Sequence, residues 1–295
     1  MRRLRNLTLF TLFLLMLVFA GGWVKLMHMQ AMAFAHPART VPEMTPNQAG
    51  IAHWEAVTFE AADGISLKGW YIPPDENGAA LVFVHGLAGN RGDYLPEAAR
   101  LSQLGYGALL FDLRNHGDSG GDATSMGAHE VRDVQAAFVF LAAQPDVNSD
   151  CIGIFGGSMG GATAIRAMTQ IPDARVLVID SAYTSVVDVI SDGIQNQVGI
   201  PGFPSAQIIL WMTGREVDAD LFSVRPIDDI GELGRPILLM HGEADPTIPV
   251  SHARELFVAA QEPKILHIVP SGGHGHMMQS AEGVVIDFLD EHLCN

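Results

Sequence analysis

Three side chains that can together turn a hydroxyl into a nucleophile each stand directly after an apolar run in this chain. Ser158 lies in Gly156-Gly157-Ser158-Met159-Gly160, after Cys151–Phe155 and before a helix-like stretch from Ala162 to Thr169. A serine at such a sharp strand-to-helix turn is pushed out of the sheet, with a helix N-terminus behind it. Asp245 follows the run Pro236–Met240 in His241-Gly242-Glu243-Ala244-Asp245. His274 follows Ile265–Val269 in Pro270-Ser271-Gly272-Gly273-His274-Gly275-His276. A serine hydroxyl is a poor nucleophile at neutral pH. It needs an imidazole to take its proton and a carboxylate to fix that imidazole's tautomer, and these three residue types supply those roles.

Other residues compete for the same parts. Asp180 follows the run Arg175–Ile179 and is an alternative acid, but it reads better as shaping the Asp180–Tyr183 turn. Glu243 reads as solvated, and His276 competes with His274 as base. His85, His116 and His241 read as histidines that fix loops through backbone hydrogen bonds. The pair His274 and His276 has no carboxylate or cysteine spacing that would make a metal site, so no metal is expected there. Gly117-Asp118-Ser119-Gly120-Gly121 spells the nucleophile motif of trypsin-like proteases. Those enzymes are all-β, whereas strands and helices alternate here, so Ser119 is assigned to a loop.

The elements that must position these groups are visible as periodicity. Trp54–Ala61 and Ile65–Ile72 read as a hairpin around Ala62-Asp63-Gly64. Ala79–Val84 and Gly107–Phe111 are continuous apolar runs, expected of strands buried on both faces. Helices are expected over Asp93–Leu104, His129–Ala143, His252–Ala260 and Glu282–His292. Repeated strand–helix units imply an α/β fold with a mostly parallel central sheet and helices on both faces. In such sheets the site lies at the carboxyl ends of the strands, where all three candidate side chains fall.

The first fifty residues are different. Arg2, Arg3 and Arg5 precede Leu7–Val24, a stretch without charge that as a helix would be roughly 27 Å long, close to a bilayer's hydrocarbon thickness. Residues 1–25 are read as a transmembrane signal anchor. A cleaved signal peptide is the alternative, with Val18-Phe19-Ala20 or Ala33-Phe34-Ala35 as poor cut sites. In either case the arginines stay inside and the rest is exported, to the periplasmic or extracellular side. Residues 26–50, with Pro37, Pro42 and Pro46, read as a linker, and 51–295 as the folded domain.

The chain carries a formal charge of −16. Residues 1–49 contribute Arg2, Arg3, Arg5, Lys25 and Arg39 against Glu43, which leaves the domain near −20. That surface excludes nucleic acid as a partner and disfavours adhesion of the domain to anionic lipid. The two cysteines make no disulfide framework. A bridge between Cys151, opening a buried strand, and Cys294, at the C-terminus, is open but not expected.

Beyond the residues themselves, the chain resembles the α/β-hydrolase fold enzymes, in particular the serine-aminopeptidase-like and esterase-like branch with a membrane anchor. The matching stretches are Val84-His85-Gly86-Leu87-Ala88-Gly89-Asn90, Asp112-Leu113-Arg114-Asn115-His116-Gly117-Asp118-Ser119-Gly120, and the three loops that carry Ser158, Asp245 and His274. The order serine, acid, histidine is that family's order. The resemblance implies a Ser158–His274–Asp245 triad and no cofactor. It implies an oxyanion hole made by the backbone N–H groups of Leu87 and Met159, and a short helical cap inserted at about 184–235. Ser205 is expected to cap a cap helix over Ala206–Met212, AQIILWM, whose apolar face would favour an apolar acyl or alcohol group on a small-molecule ester. The activity implied is hydrolysis of carboxylic esters, with thioesters as a related class. An aminopeptidase or amidase of the same fold is the alternative, and a non-catalytic binding module the more distant one. Oligomeric state is not legible.

Overall fold

The computed structural model describes residues 2–294; Met1 and Asn295, the outer ends of the anticipated anchor and domain, lie outside the described residues. Eight strands form one sheet in the order β1-β2-β4-β3-β5-β6-β7-β8. The hairpin β1 (Glu55–Glu60) and β2 (Ser66–Ile72) joins the edge antiparallel. The other six run parallel: β3 (Ala80–Val84), β4 (Gly107–Phe111), β5 (Ile152–Gly157), β6 (Leu177–Asp180), β7 (Ile237–Gly242) and β8 (Lys264–Val269).

Continuous apolar runs make the central strands because both faces are covered. Along β3, Val82 and Val84 face one core while Leu81 and Phe83 face the other. The second core is closed by α2 (Leu95–Ser102) and α9 (Met278–His292). The first is closed by α3 (Val131–Ala142), α4 (Met159–Met168), α7 (Pro226–Ile230) and α8 (Ser251–Ala259). This is the α/β-hydrolase fold anticipated from the sequence.

Between β6 and β7 the chain leaves the sheet as a cap. Its helices are α5 (Val186–Val198) and α6 (Ser205–Val217), followed by a 3-10 turn over Leu221–Ser223. Helix α5 was not anticipated. Its start is nevertheless written as Ser185-x-x-Asp188, in which the Ser185 Oγ accepts the Asp188 N–H and donates to the Asp188 carboxylate. Ser205 is not the N-cap of α6; it is the first helical residue, and Pro204 occupies the cap position.

Two further expectations are corrected. The first concerns residues 26–50. Helix α1 runs from Arg2 to Ala35, and within Arg5–Ala35 it is long and apolar enough to cross a membrane. It continues ten residues past the expected boundary because Met27, Ala31 and Ala35, spaced four apart on one helix face, are buried against α6. Its end is tied down as well. The Ala35 carbonyl accepts from the Thr124 N–H at 2.8 Å and from the Asn115 side-chain amide at 3.2 Å. His36 bridges the Asp122 carbonyl and the Glu216 carboxylate, and that carboxylate raises its pKa. The non-helical part that follows is pinned to the body too, through Arg39 to the Ser119 carbonyl and Thr40 to Asn90.

The second correction is the disulfide. Cys151 and Cys294 are bonded, across a sequence separation of 143. The strand start and the chain end could not be paired in sequence because only the return of α9 beneath the sheet brings them together.

Candidate active site

Ser158 stands between the last residue of β5 and the first of α4, at φ 52° and ψ −123°. That left-handed backbone is strained for a residue with a Cβ and is retained only where the surroundings hold it. The surroundings here are glycines. A Cβ on Gly157 would run into the Tyr94 phenol, and one on Gly160 into the carbonyls of Val84 and His85. The Ser158 N–H is held by the Asp180 carbonyl at 2.8 Å.

The structure brings the three sequence-predicted side chains together from three separate loops. His274 Nε2 lies 3.0 Å from Ser158 Oγ, and His274 Nδ1 lies 2.7 Å from Asp245 Oδ2. The other Asp245 oxygen accepts the backbone N–H groups of Thr247 and Ile248 at 2.8 and 2.9 Å. Burial pushes the Asp245 pKa up, but the His274 hydrogen bond and those amides outweigh it and hold the carboxyl below its usual value. It is therefore ionised at neutral pH and accepts the Nδ1 proton, leaving the Nε2 lone pair towards Ser158.

His241 also approaches this carboxylate, with Nε2 at 3.4 Å from Asp245 Oδ2. Burial lowers its pKa, and its Nε2–H donates to the Ile248 carbonyl at 2.8 Å, so it is neutral and braces the Asp245 loop. The same loop-fixing role holds for the other two histidines assigned to it. His85 accepts the Leu113 N–H and donates to the Gly86 carbonyl. His116 accepts the Ala88 N–H and donates to the Arg114 carbonyl. Burial depresses both, His85 to about 3. Together they lock the 86–88 turn onto the 112–116 loop.

That turn crosses directly over the serine: a Cβ on Gly86 would sit 3.2 Å from Ser158 Cβ. Leu87 follows it. Met159 is the first residue of α4, so its amide is among those a helix leaves without an internal partner. A cavity of about 560 Å³ borders the turn, with Leu87, Ala88 and Asp93 on one side and Thr40, Val41 and Glu43 on the other.

The competing residues occupy other posts. Ser119 Oγ donates to the Asp112 carbonyl and accepts the Lys68 N–H, inside a loop. Asp180 and His276 belong to a hydrogen-bond network behind the serine that sequence reasoning did not foresee. Asp180 accepts the Met277 N–H at 3.0 Å and the Ser181 hydroxyl at 3.1 Å. Ser181 Oγ in turn accepts the Gly275 N–H at 3.2 Å. His276 Nδ1 meets the buried Glu97 carboxylate of α2 at 3.1 Å, which raises the His276 pKa. These contacts clamp the segment that directly follows His274. The signal in the sequence was the second histidine of Gly273-His274-Gly275-His276, which could be weighed as a base but not seen as a clamp. Among the described residues no cluster of His, Cys, Asp and Glu could hold a metal ion.

Residues 81–288 match the model of the alpha/beta hydrolase family. The chain belongs to that family. It is 31% identical over 247 residues to the uncharacterized protein YfhR of Escherichia coli, covering 80% of each chain. It is 33% identical over 220 residues to an uncharacterized protein of Mycobacterium tuberculosis, covering 74% of this chain and 71% of the other. Among solved structures, the Pyrococcus furiosus esterase Pf2001 superposes with a TM-score of 0.73 at 23% identity, over 88% of this chain and 98% of that one. The Pyrococcus horikoshii acylaminoacyl peptidase superposes with a TM-score of 0.65 at 20% identity, over 82% of this chain and 42% of that one. Both share the fold.

Proposed function

We propose that this chain is a serine hydrolase of carboxylic esters, held in a membrane by α1 with its catalytic domain on the exported side. The observation that carries the reading is the unbroken relay Ser158 Oγ–His274–Asp245 at 3.0 and 2.7 Å on a strained turn. His274 takes the Ser158 proton as the oxygen attacks the ester carbonyl. The N–H groups of Leu87 and Met159 receive the oxyanion, and Asp245 stabilises the imidazolium. His274 then gives its proton to the leaving alcohol, leaving an acyl-enzyme. A water deprotonated by His274 attacks the acyl carbon, releases the acid and restores Ser158. The cavity beside Leu87 is the natural place for the acyl or alcohol group.

A second reading, aminopeptidase, is favoured by one observation: Glu43 and Asp93 line that same cavity and could pair with a substrate α-ammonium group. Turnover of aminoacyl anilides against alkyl esters separates the two. The exported side is supported by Arg2, Arg3 and Arg5 before the span and by the Cys151–Cys294 bond, which persists in oxidising compartments.

The deciding experiment incubates the full chain with a fluorophosphonate probe and measures turnover of p-nitrophenyl esters. Label on Ser158 is expected, with labelling and turnover both falling to the buffer background in Ser158→Ala. Undiminished turnover in that variant, or label on another residue, would overturn the assignment.

A further inference from the structure

Helix α1 and the cap together present an apolar surface that the hydrolytic chemistry does not use. Val198 is 64% exposed, Ile200 45%, Phe203 74% and Trp211 57%. Between Asp192 and Arg215 the cap contains no charged residue, in a domain that is otherwise strongly acidic. An acidic body is repelled by anionic headgroups everywhere except at a face without charge.

The position of this face along α1 is fixed. A cavity of about 270 Å³ between helix and cap is lined by Trp23 and Leu26 from α1 and by Ile194, Val198, Ile200 and Ile209 from the cap. The uncharged stretch Leu7–Val24 ends beside Trp23, at Lys25. Its apolar side chains are exposed along its length, whereas Met27, Ala31 and Ala35 are buried against α6. The cap loop therefore stands at the level where the span leaves the bilayer, with a tryptophan where interfacial aromatics settle. A surface of this kind at that height meets lipid before it meets any other partner.

We propose that the cap face formed by Val198, Ile200 and Phe203 seats on the outer leaflet of the bilayer, and that the cavity between α1 and the cap takes lipid hydrocarbon. The inference rests on the reading that α1 spans the membrane. It goes beyond the proposed function, because it concerns a cap surface and a cavity that contain none of the Ser158, Asp245 and His274 side chains.

The test places the full chain in vesicles of phosphatidylcholine and phosphatidylglycerol. Both native cysteines are bonded to each other, so single thiols can be introduced and labelled with an environment-sensitive fluorophore at Leu15→Cys, Phe203→Cys and Val258→Cys. Val258 is 79% exposed on α8, outside the cap. Lipids carrying shallow spin labels should quench the label at 203 several-fold more than the label at 258, and deep spin labels should quench the label at 15. Quenching at 15 with 203 behaving like 258 overturns the docking and leaves the span standing. Absence of quenching at 15 removes the span and the docking with it. Shielding at 203 that rises with chain concentration and ignores the spin labels assigns the face to a second copy and overturns the proposal. For the cavity, native mass spectrometry of the full chain should show a retained lipid that is lost in Ile194→Trp. Equal retention in both overturns that part.

Discussion

At the scale of single residues, the site separates two carboxylates that look alike in sequence. Asp245 follows one parallel strand and Asp180 ends another, yet their surroundings push their pKa values apart. Asp245 gathers three N–H donors and is held low, so it can serve His274 at neutral pH. Asp180 is fully buried with fewer donors, and burial raises its pKa from 3.8 to about 6. A raised carboxyl pKa means that the native state keeps a proton that the unfolded chain releases. Stability from this group is thus lost as pH climbs from about 4 to 6, by about 3 kcal/mol. In Asp180→Asn this contribution disappears. Urea unfolding of both proteins from pH 3.5 to 7 should show the variant gaining on the parent by about that amount as pH rises; parallel curves would refute the assignment.

At the scale of elements, the His274 loop is held by groups from two neighbours, β6 and α2. Glu97 reaches from α2 to His276, two residues beyond the proposed base. Glu97→Ala removes that anchor without touching substrate or Ser158. Because a base displaced by about 1 Å can lose 10²-fold in rate, kcat is expected to fall between about ten- and a hundredfold with KM little changed. Glu97→Gln keeps an acceptor and should recover most of the loss. A KM effect, or no rescue, would contradict a positioning role. The strands and the three candidate side chains were legible because buried parallel strands are plain apolar runs and a serine turn demands its glycines locally. The clamp was not legible, because Glu97 and His276 are 179 residues apart in sequence and nothing local announces their meeting. Helix α5 is not legible for another reason: Asp188, Ser191 and Asp192 interrupt its apolar residues, and only the Ser185 cap marks its start.

At the scale of the whole molecule, the N-terminal helix is not a tether. Its first half is exposed and its second half is a component of the domain, sealing α6 through Met27, Ala31 and Ala35. Sequence alone could not show this, because the packing face of 26–35 is recognisable only against its partner helix. Ala31→Glu places a charge where the native side chain is 0% exposed, and should destabilise the full chain by about 3 kcal/mol, read as a lowered Tm in detergent. An unchanged Tm would mean that the helix only anchors. The segment after it, Thr40 to Glu43, walls the cavity beside Leu87, so the same N-terminal region forms both the apolar helix and one side of that cavity.

That shared helix also sets an order of events during biogenesis. A processing peptidase needs its segment extended, but once the cap has closed, the Ala35 carbonyl is hydrogen-bonded and its side chain sealed. A cut after Ala33-Phe34-Ala35 can therefore occur only ahead of folding, and it would strip a wall from the body. A cut after Val18-Phe19-Ala20 falls on exposed helix and would free a domain that keeps Trp23 and all its docked turns. Folding thus shields the inner site and leaves the outer one open, so only a cut at the outer site would release the body with its wall in place.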